Sequence, residues 1–425
     1  MRAALWLMAL FAVAVALALF AGNDHGTVTV FWAPYRVDLS LNLVLLTLAG
    51  CFVTLHYALR ALTALLRIPE QARNWRRLHK ERAIHSALLD ALSHLAAGRF
   101  VRARKAAELV VSLEESVEQS GEHLAYRGRL ATTAHLLAAE SAHALQDRSV
   151  RDAHFQKALE HAAARDAQDA REGVQLRGAR WALDDRDAAA ALQWMEQLPQ
   201  GAARRTLALR LRFKAARLAG RSRMALETVR LLTKHRAFSE MAGASIACGL
   251  ALELIRAAHD PVQIAQAWGA LDSAEQNMPA VALEAAQRLL DHGGDVALSR
   301  QWLLAPWEAM VRRADALSAA ERVRLVRVLE RGFAVPDSQP DSAWLGRIES
   351  AQMAQPRDPV LQYLAGIACM HLQLWGKAQQ MLKQSLSLLQ DADLRRDAWR
   401  ALAQLAEQRQ DTQAASAAYR EAAKR

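Results

Sequence analysis

His154 and His161 stand seven residues apart in "HFQKALEH", a stretch whose pattern predicts a helix, so both rings could share one face. Converging imidazoles would offer a metal or haem site. At ~1.5 Å per residue, however, two helical turns separate them by about 10 Å, too far for one ion. The expectation is therefore solvated or capping histidines. Cys51, Cys248 and Cys369 are odd in number and widely spaced, with no CxxC or CxxH. That pattern speaks for small buried hydrophobes and against a disulfide framework or a zinc site. Trp302 and Trp307 flank Pro306 and are expected in core and turn. Gly293-Gly294 before Asp295 reads as one helix end followed by the cap of the next helix. The chain contains no GxGxxG, no GxxxxGKS or GxxxxGKT, no HExxH and no GxSxG. The usual phosphate cradles, metalloprotease helix and nucleophile elbow are thus missing. The expectation is a protein without catalytic residues or metal ligands of its own, requiring no cofactor.

The elements that must position any site are helical almost throughout. Alanine and leucine dominate, Gly (19) and Pro (10) are scarce, and no proline falls between Pro69 and Pro199. Charge is uneven. Residues 1–82 hold nine Lys/Arg against four Asp/Glu, a net +5, while the other 343 residues share the remaining +5 of the total +10. A nucleic-acid binder would concentrate basic charge on its folded part, so no nucleic-acid partner is expected and a membrane surface is.

Two apolar stretches begin the chain. Ala3 to Ala21 is 19 residues without a charge and Leu39 to Leu59 is 21 more. About 20 residues cross a bilayer as a helix, so the sequence predicts a transmembrane hairpin over 1–60 with a short periplasmic loop at 22–38. Only Arg36 is basic in that loop, against seven Lys/Arg in residues 60–82. This bias predicts an inner-membrane, multi-pass protein with both termini in the cytoplasm, since basic residues resist translocation. A cleaved signal peptide is the competing reading of the first stretch, and the second span would keep the same topology for the rest. Phe31, Trp32 and Tyr35 suit the outer interface, and Arg73, Arg76, Arg77 and Lys80 the inner one, with membrane lipids as partners. Residues 61–82 read as a basic juxtamembrane helix.

Residues 83–425 read as one cytoplasmic helical-repeat domain. In "WRALAQLAEQRQDTQAASAAYREA", Trp399, Leu402 and Ala403 precede Ala415, Tyr419 and Ala422 at the spacing of a tetratricopeptide (TPR) repeat. Small residues sit where paired helices cross and large ones fill the space beside them. The preceding unit repeats the grammar with Gly366, Ala378, Leu382 and Ser385. Weaker copies place Gly98, Ala103 and Ala107; Phe155 and Ala158, with Arg151 where Ala is expected; Gly178, Ala190 and Trp194; and Gly220, Ala225 and Val229. Between about 239 and 355 the grammar fades into proline-bearing, irregular helix pairs, and "AVPDSQPDS" reads as a loop. The predicted fold is all-α: a two-helix transmembrane hairpin followed by a TPR-like α-solenoid, a surface for peptides or other helices.

Gly26, Val28 and Val30, then Tyr35, Val37, Asp38 and Ser40, resemble the Gly-x-Val and Tyr-x-(Val/Ile)-(Glu/Asp)-x-Ser pattern of the HemY family. Trp75, Arg76 and Arg77 resemble its aromatic-then-basic exit, here shorter and mixed with Glu81. These are TPR-containing inner-membrane proteins associated with late haem biosynthesis. The resemblance is specific over residues 1 to about 110 and architectural beyond. It implies a scaffold in a late step of protohaem IX synthesis, with the terminal haem-biosynthesis enzymes as partners and haem or porphyrin as a ligand to consider. The repeats alone would equally suit a general adaptor for envelope assembly or secretion.

Overall fold

The computed structural model describes residue 13 and residues 26–119, 126–313, 315–334 and 342–424. The first apolar stretch, but for Val13, lies outside the described residues, as do residues 335–341 of the expected "AVPDSQPDS" loop. The chain divides into two compact units, Met1–Ala167 and Gln168–Arg425.

In the first unit the expected loop is not irregular. It folds as strands β1 (Thr27–Trp32) and β2 (Tyr35–Ser40), paired antiparallel from Thr27 opposite Ser40 to Trp32 opposite Tyr35. Alternating β-branched and polar residues favour a strand over a helix here, so one short hairpin stands in place of the expected loop in an otherwise helical chain. Ser40 then caps helix α1 (Leu41–Ala96), its hydroxyl accepting from the Leu43 N–H at 3.3 Å. Fifty-six residues at 1.5 Å make a helix of about 84 Å that crosses positions 60 and 82 without a break. Its first part, Leu41–Thr63, is long and apolar enough to cross a membrane. Its last part packs into a helical core through Ile84, Ala87 and Ala91. Helix α2 (Phe100–Gln119) packs against both α1 and α3 (Arg127–Ala144), and α3 also packs against α4 (Arg148–His161).

The second unit continues as antiparallel pairs. Gln168–Asp184 packs on Ala188–Glu196, Thr206–Leu218 on Ser222–Lys234, Pro359–His371 on Trp375–Leu386, and Ala392–Gln408 on Thr412–Ala423. The middle is helical but irregular, and Pro261 and Pro279 there start helices rather than break them. Pro261, Pro279 and Pro359 occupy first turns, where no amide donor is needed. Trp302 and Trp307 are buried; Trp302 stacks on Trp268 with ring centroids 4.7 Å apart, and Trp307 meets Trp344 edge-on at 5.5 Å. Of the cysteines only Cys369 is fully buried, while Cys51 is exposed on the apolar part of α1. Buried carboxylates tie the irregular helices together. Glu284, on Pro279–Asp291, accepts from Arg256 at 2.9 Å and Arg324 at 2.6 Å, joining three helices.

Candidate functional site

Six of the turns between paired helices share one geometry. Gly98, Gln146, Arg186, Gly220, Gln373 and Gln410 all have positive φ between 59° and 70°. Each is followed by a residue whose N–H donates back five residues, as Arg99 does to the His94 carbonyl and Asp411 to the Ala406 carbonyl, at 2.7–2.9 Å. This is a Schellman closure that satisfies the last carbonyls of one helix and starts the next. Asp147, Asp187 and Asp411 also cap through their carboxylates.

Counting from that capping residue fixes the packing. Four residues on stand Ala103, Arg151, Ala191, Ala225, Ala378 and Ala415, all buried, each donating to the cap carbonyl. Eight residues on stand Ala107, Phe155, Met195, Val229, Leu382 and Tyr419. The third copy therefore packs through Ala191 and Met195, one residue beyond the expected Ala190 and Trp194, because Asp187 starts the helix. Arg151 does occupy the small-residue position, turned so that its Nε donates to Asp152 at 2.8 Å and its Nη1 lies 3.3 Å from His143 Nδ1. Gly366 lies against Leu382 so closely that an added Cβ would stand 2.7 Å from Leu382 Cγ. Leu402, Ala403 and Ala422 are buried as expected, and Trp399 is half-buried. Tyr419 is not core. It is 41% exposed, and its hydroxyl reaches Glu407.

Trp399 and Leu402 instead floor a groove of about 530 Å³ among the last three helices. Ala414 and Ala418 extend this apolar floor, and Lys383 and Arg420 stand at its rim. Neither cation is in an ion pair among the described residues; Arg420 Nε donates to the Ser416 carbonyl at 3.3 Å. An apolar floor between two available cations suits a peptide carrying apolar and acidic side chains.

The histidines depart from their expectation. His135 on α3, buried to 2%, brings both others together: its Nδ1 lies 3.0 Å from His154 Nδ1, and its ring stacks on His161 at 5.5 Å. The spacing of His154 and His161 hid this because the third ring comes from the neighbouring helix. Burial, reinforced by the charges of His154, His161 and Lys157, lowers the His135 pKa to about 4. Burial also lowers that of His154, against the pull of Glu108. One neutral ring must donate and the other accept, so the contact is a hydrogen bond inside a core. Among the described residues no group of three or more His, Cys, Asp or Glu is arranged to hold a metal ion.

Of the residues expected at a membrane interface, Phe31, Trp32 and Tyr35 are exposed at the hairpin tip. Arg73, Arg76, Arg77 and Lys80 fall within about two turns of α1, beyond its apolar part.

Residues 26–146 match the family described as HemY protein N-terminus. Among solved structures, the chain is similar to one of Naa15/Naa10 bound to HypK-THB, at 12% identity and a TM-score of 0.23, covering 76% of this chain and 56% of that one. It is similar to the APC/C hetero-tetramer Cut9-Hcn1 at 13% identity and a TM-score of 0.28, covering 79% and 65%. It is also similar to the P58(IPK) TPR domain at 12% identity and a TM-score of 0.22, covering 80% and 99%. The chain thus spans less than two thirds of the first two of these structures. No curated protein matches.

Proposed function

With residues 26–146 forming a HemY N-terminal segment, we propose that this protein is a membrane-anchored TPR-like scaffold acting in a late step of protohaem IX synthesis. The family match carries the pathway, and the repeat turns carry the scaffold. In this reading the apolar stretches 3–21 and Leu41–Thr63 together anchor the chain in the inner membrane, with both termini in the cytoplasm as the basic residues of α1 suggest. The helical pairs hold the terminal haem enzymes, and the groove over Trp399 takes an acidic, partly apolar segment of such a partner. Haem or porphyrin enters as cargo passed between those enzymes, and the chain performs no chemistry on it.

Crosslinking the full chain in its native membrane and purifying it is the direct test. Recovery of terminal haem enzymes is expected, and their loss with Lys383→Glu/Arg420→Glu would place the contact at the groove. Recovery of secretion or envelope-assembly components alone would make the chain a general adaptor instead. The purified protein is expected to show no turnover with porphyrin substrates, and oxidation or metal insertion above the uncatalysed rate would refute a purely scaffolding role. A reporter fused after Arg425 is expected to be active in the cytoplasm; a periplasmic signal would remove the haem-enzyme scaffold.

A further inference from the structure

The hairpin register sorts its side chains onto two faces, because successive residues of a strand point to opposite sides. Val28 pairs with Leu39, Val30 with Val37 and Trp32 with Tyr35, so one face is wholly apolar. Thr27 pairs with Ser40, Thr29 with Asp38 and Phe31 with Arg36 on the other. That second face partners itself: the Arg36 guanidinium lies 5.4 Å from the centre of the Phe31 ring and 3.4 Å from Asp38. The apolar face is open, with Trp32 76% and Tyr35 73% exposed. Two strands alone are marginally stable in water, so this face needs a cover.

The hairpin's attachment says what the cover is. Ser40 is the last residue of β2 and the cap of α1, and the Leu41 N–H donates to the Gly26 carbonyl at 2.9 Å. Both open ends of the hairpin are therefore tied to the first turn of the apolar segment Leu41–Thr63. We propose that the hairpin lies flat on the bilayer surface, its apolar face in the headgroup–acyl boundary and its Thr29–Asp38 face in water. This rests on the reading of Leu41–Thr63 as a membrane span. Standing upright, six residues at ~3.3 Å would carry Trp32 and Tyr35 about 17–20 Å from the start of the span. The interfacial layer is only about 5–8 Å deep, so an upright hairpin would leave its aromatic tip in water. Deeper entry is closed as well, because the outer edges of a two-stranded sheet carry unpaired N–H and C=O groups that hydrocarbon cannot satisfy. Lying flat meets both constraints, and it fixes the depth and rotation of α1. Phe31, on the water-facing side, is then not an anchor, whereas Trp32 and Tyr35 are.

The test uses the full chain, with its three cysteines replaced by alanine, in phosphatidylcholine–phosphatidylglycerol vesicles. Single cysteines at Val30, Val37, Thr29, Asp38 and, inside the span, Leu48 carry a nitroxide. Its collisions with oxygen, which partitions into lipid, and with a water-soluble nickel chelate are measured. Val30 and Val37 are expected to show an oxygen-to-nickel ratio below that of Leu48 but several-fold above Thr29 and Asp38. Alkylation of the same unlabelled cysteines by a water-soluble maleimide is expected to be several-fold slower at Val30 and Val37, a control that needs no bulky label. Equal nickel access on both faces would show an upright hairpin and overturn the proposal. So would Val30 and Val37 closed to both reagents, because a protein segment or a second copy would then be the cover. Nickel access at Leu48 would instead refute the span on which the proposal rests.

Discussion

Replacing Gly366 by alanine, beside the same change at Gly346, isolates the helix crossing in the second unit. Both glycines lie inside helices, Pro359–His371 and Ser342–Ala354. At Gly346 an added Cβ meets nothing within 4 Å; at Gly366 it would stand 2.7 Å from Leu382 Cγ, 2.9 Å from Cδ2 and 3.3 Å from the Leu382 backbone nitrogen. Leu382 is fully buried and has no room to yield. Alanine gains about 0.8–1.0 kcal/mol over glycine in a helix interior, so Gly346→Ala should stabilise by about that much. Gly366→Ala gains the same propensity but overpacks the crossing, at a cost of about 1–3 kcal/mol. The propensity cancels between the two, leaving a gap of about 1–3 kcal/mol. At ~2–4 °C per kcal/mol for a unit of this size, the melting temperatures should part by several degrees, Gly346→Ala higher. Thermal unfolding of the full chain, followed by circular dichroism, measures this. Equal shifts in the two variants would mean that the helices do not cross at Gly366.

Acid should loosen the first unit through His135. Its folded pKa of about 4 lies below the ordinary 6.5, so its contribution is complete above pH 6.5 and is lost as pH falls towards 4, by at most about 3 kcal/mol. His135→Leu should flatten the fall in melting temperature between pH 6.5 and 5, and an unchanged slope would count against a buried neutral ring. In the second unit, burial alone would raise the Glu284 carboxyl, but the hydrogen bonds and charges of Arg256 and Arg324 outweigh it and hold it below the ordinary range. Its contribution is thus present above about pH 4.5 and lost below it as the carboxylate takes up its proton. Glu284→Gln should cost about 1–3 kcal/mol at pH 7. Denaturant titrations of the variant and parent should converge below pH 4 if the charge is responsible.

Local chemistry made much of this protein legible. Ala378, Leu382 and Ser385, then Ala415 and Ala422, are buried at the spacing the sequence shows, because a helix repeats every 3.6 residues whatever packs on it. Gly98, Gly220 and Gly293 announce left-handed turns, since glycine adopts positive φ without steric cost. Gln146, Arg186, Gln373 and Gln410 make the same turn unannounced. There the hydrogen bond from the next residue to a carbonyl five positions back imposes a conformation that the side chain disfavours. The one-residue correction from Ala190 to Ala191 has the same origin, for the register starts at the cap and not at the first alanine.

What remained for the tertiary structure were facts requiring two elements at once. His154 and His161 looked solvated because their own helix holds them two turns apart, and only the crossing of α3 over α4 sets His135 between them. Phe31, Trp32 and Tyr35 looked like one aromatic cluster until strand pairing put Phe31 beside Arg36 and the other two on the opposite face. The sequence determined periodicity and propensity, which act over a few bonds. Which face meets which neighbour is decided by contacts between residues far apart in the chain, and these exist only once both elements have formed and docked.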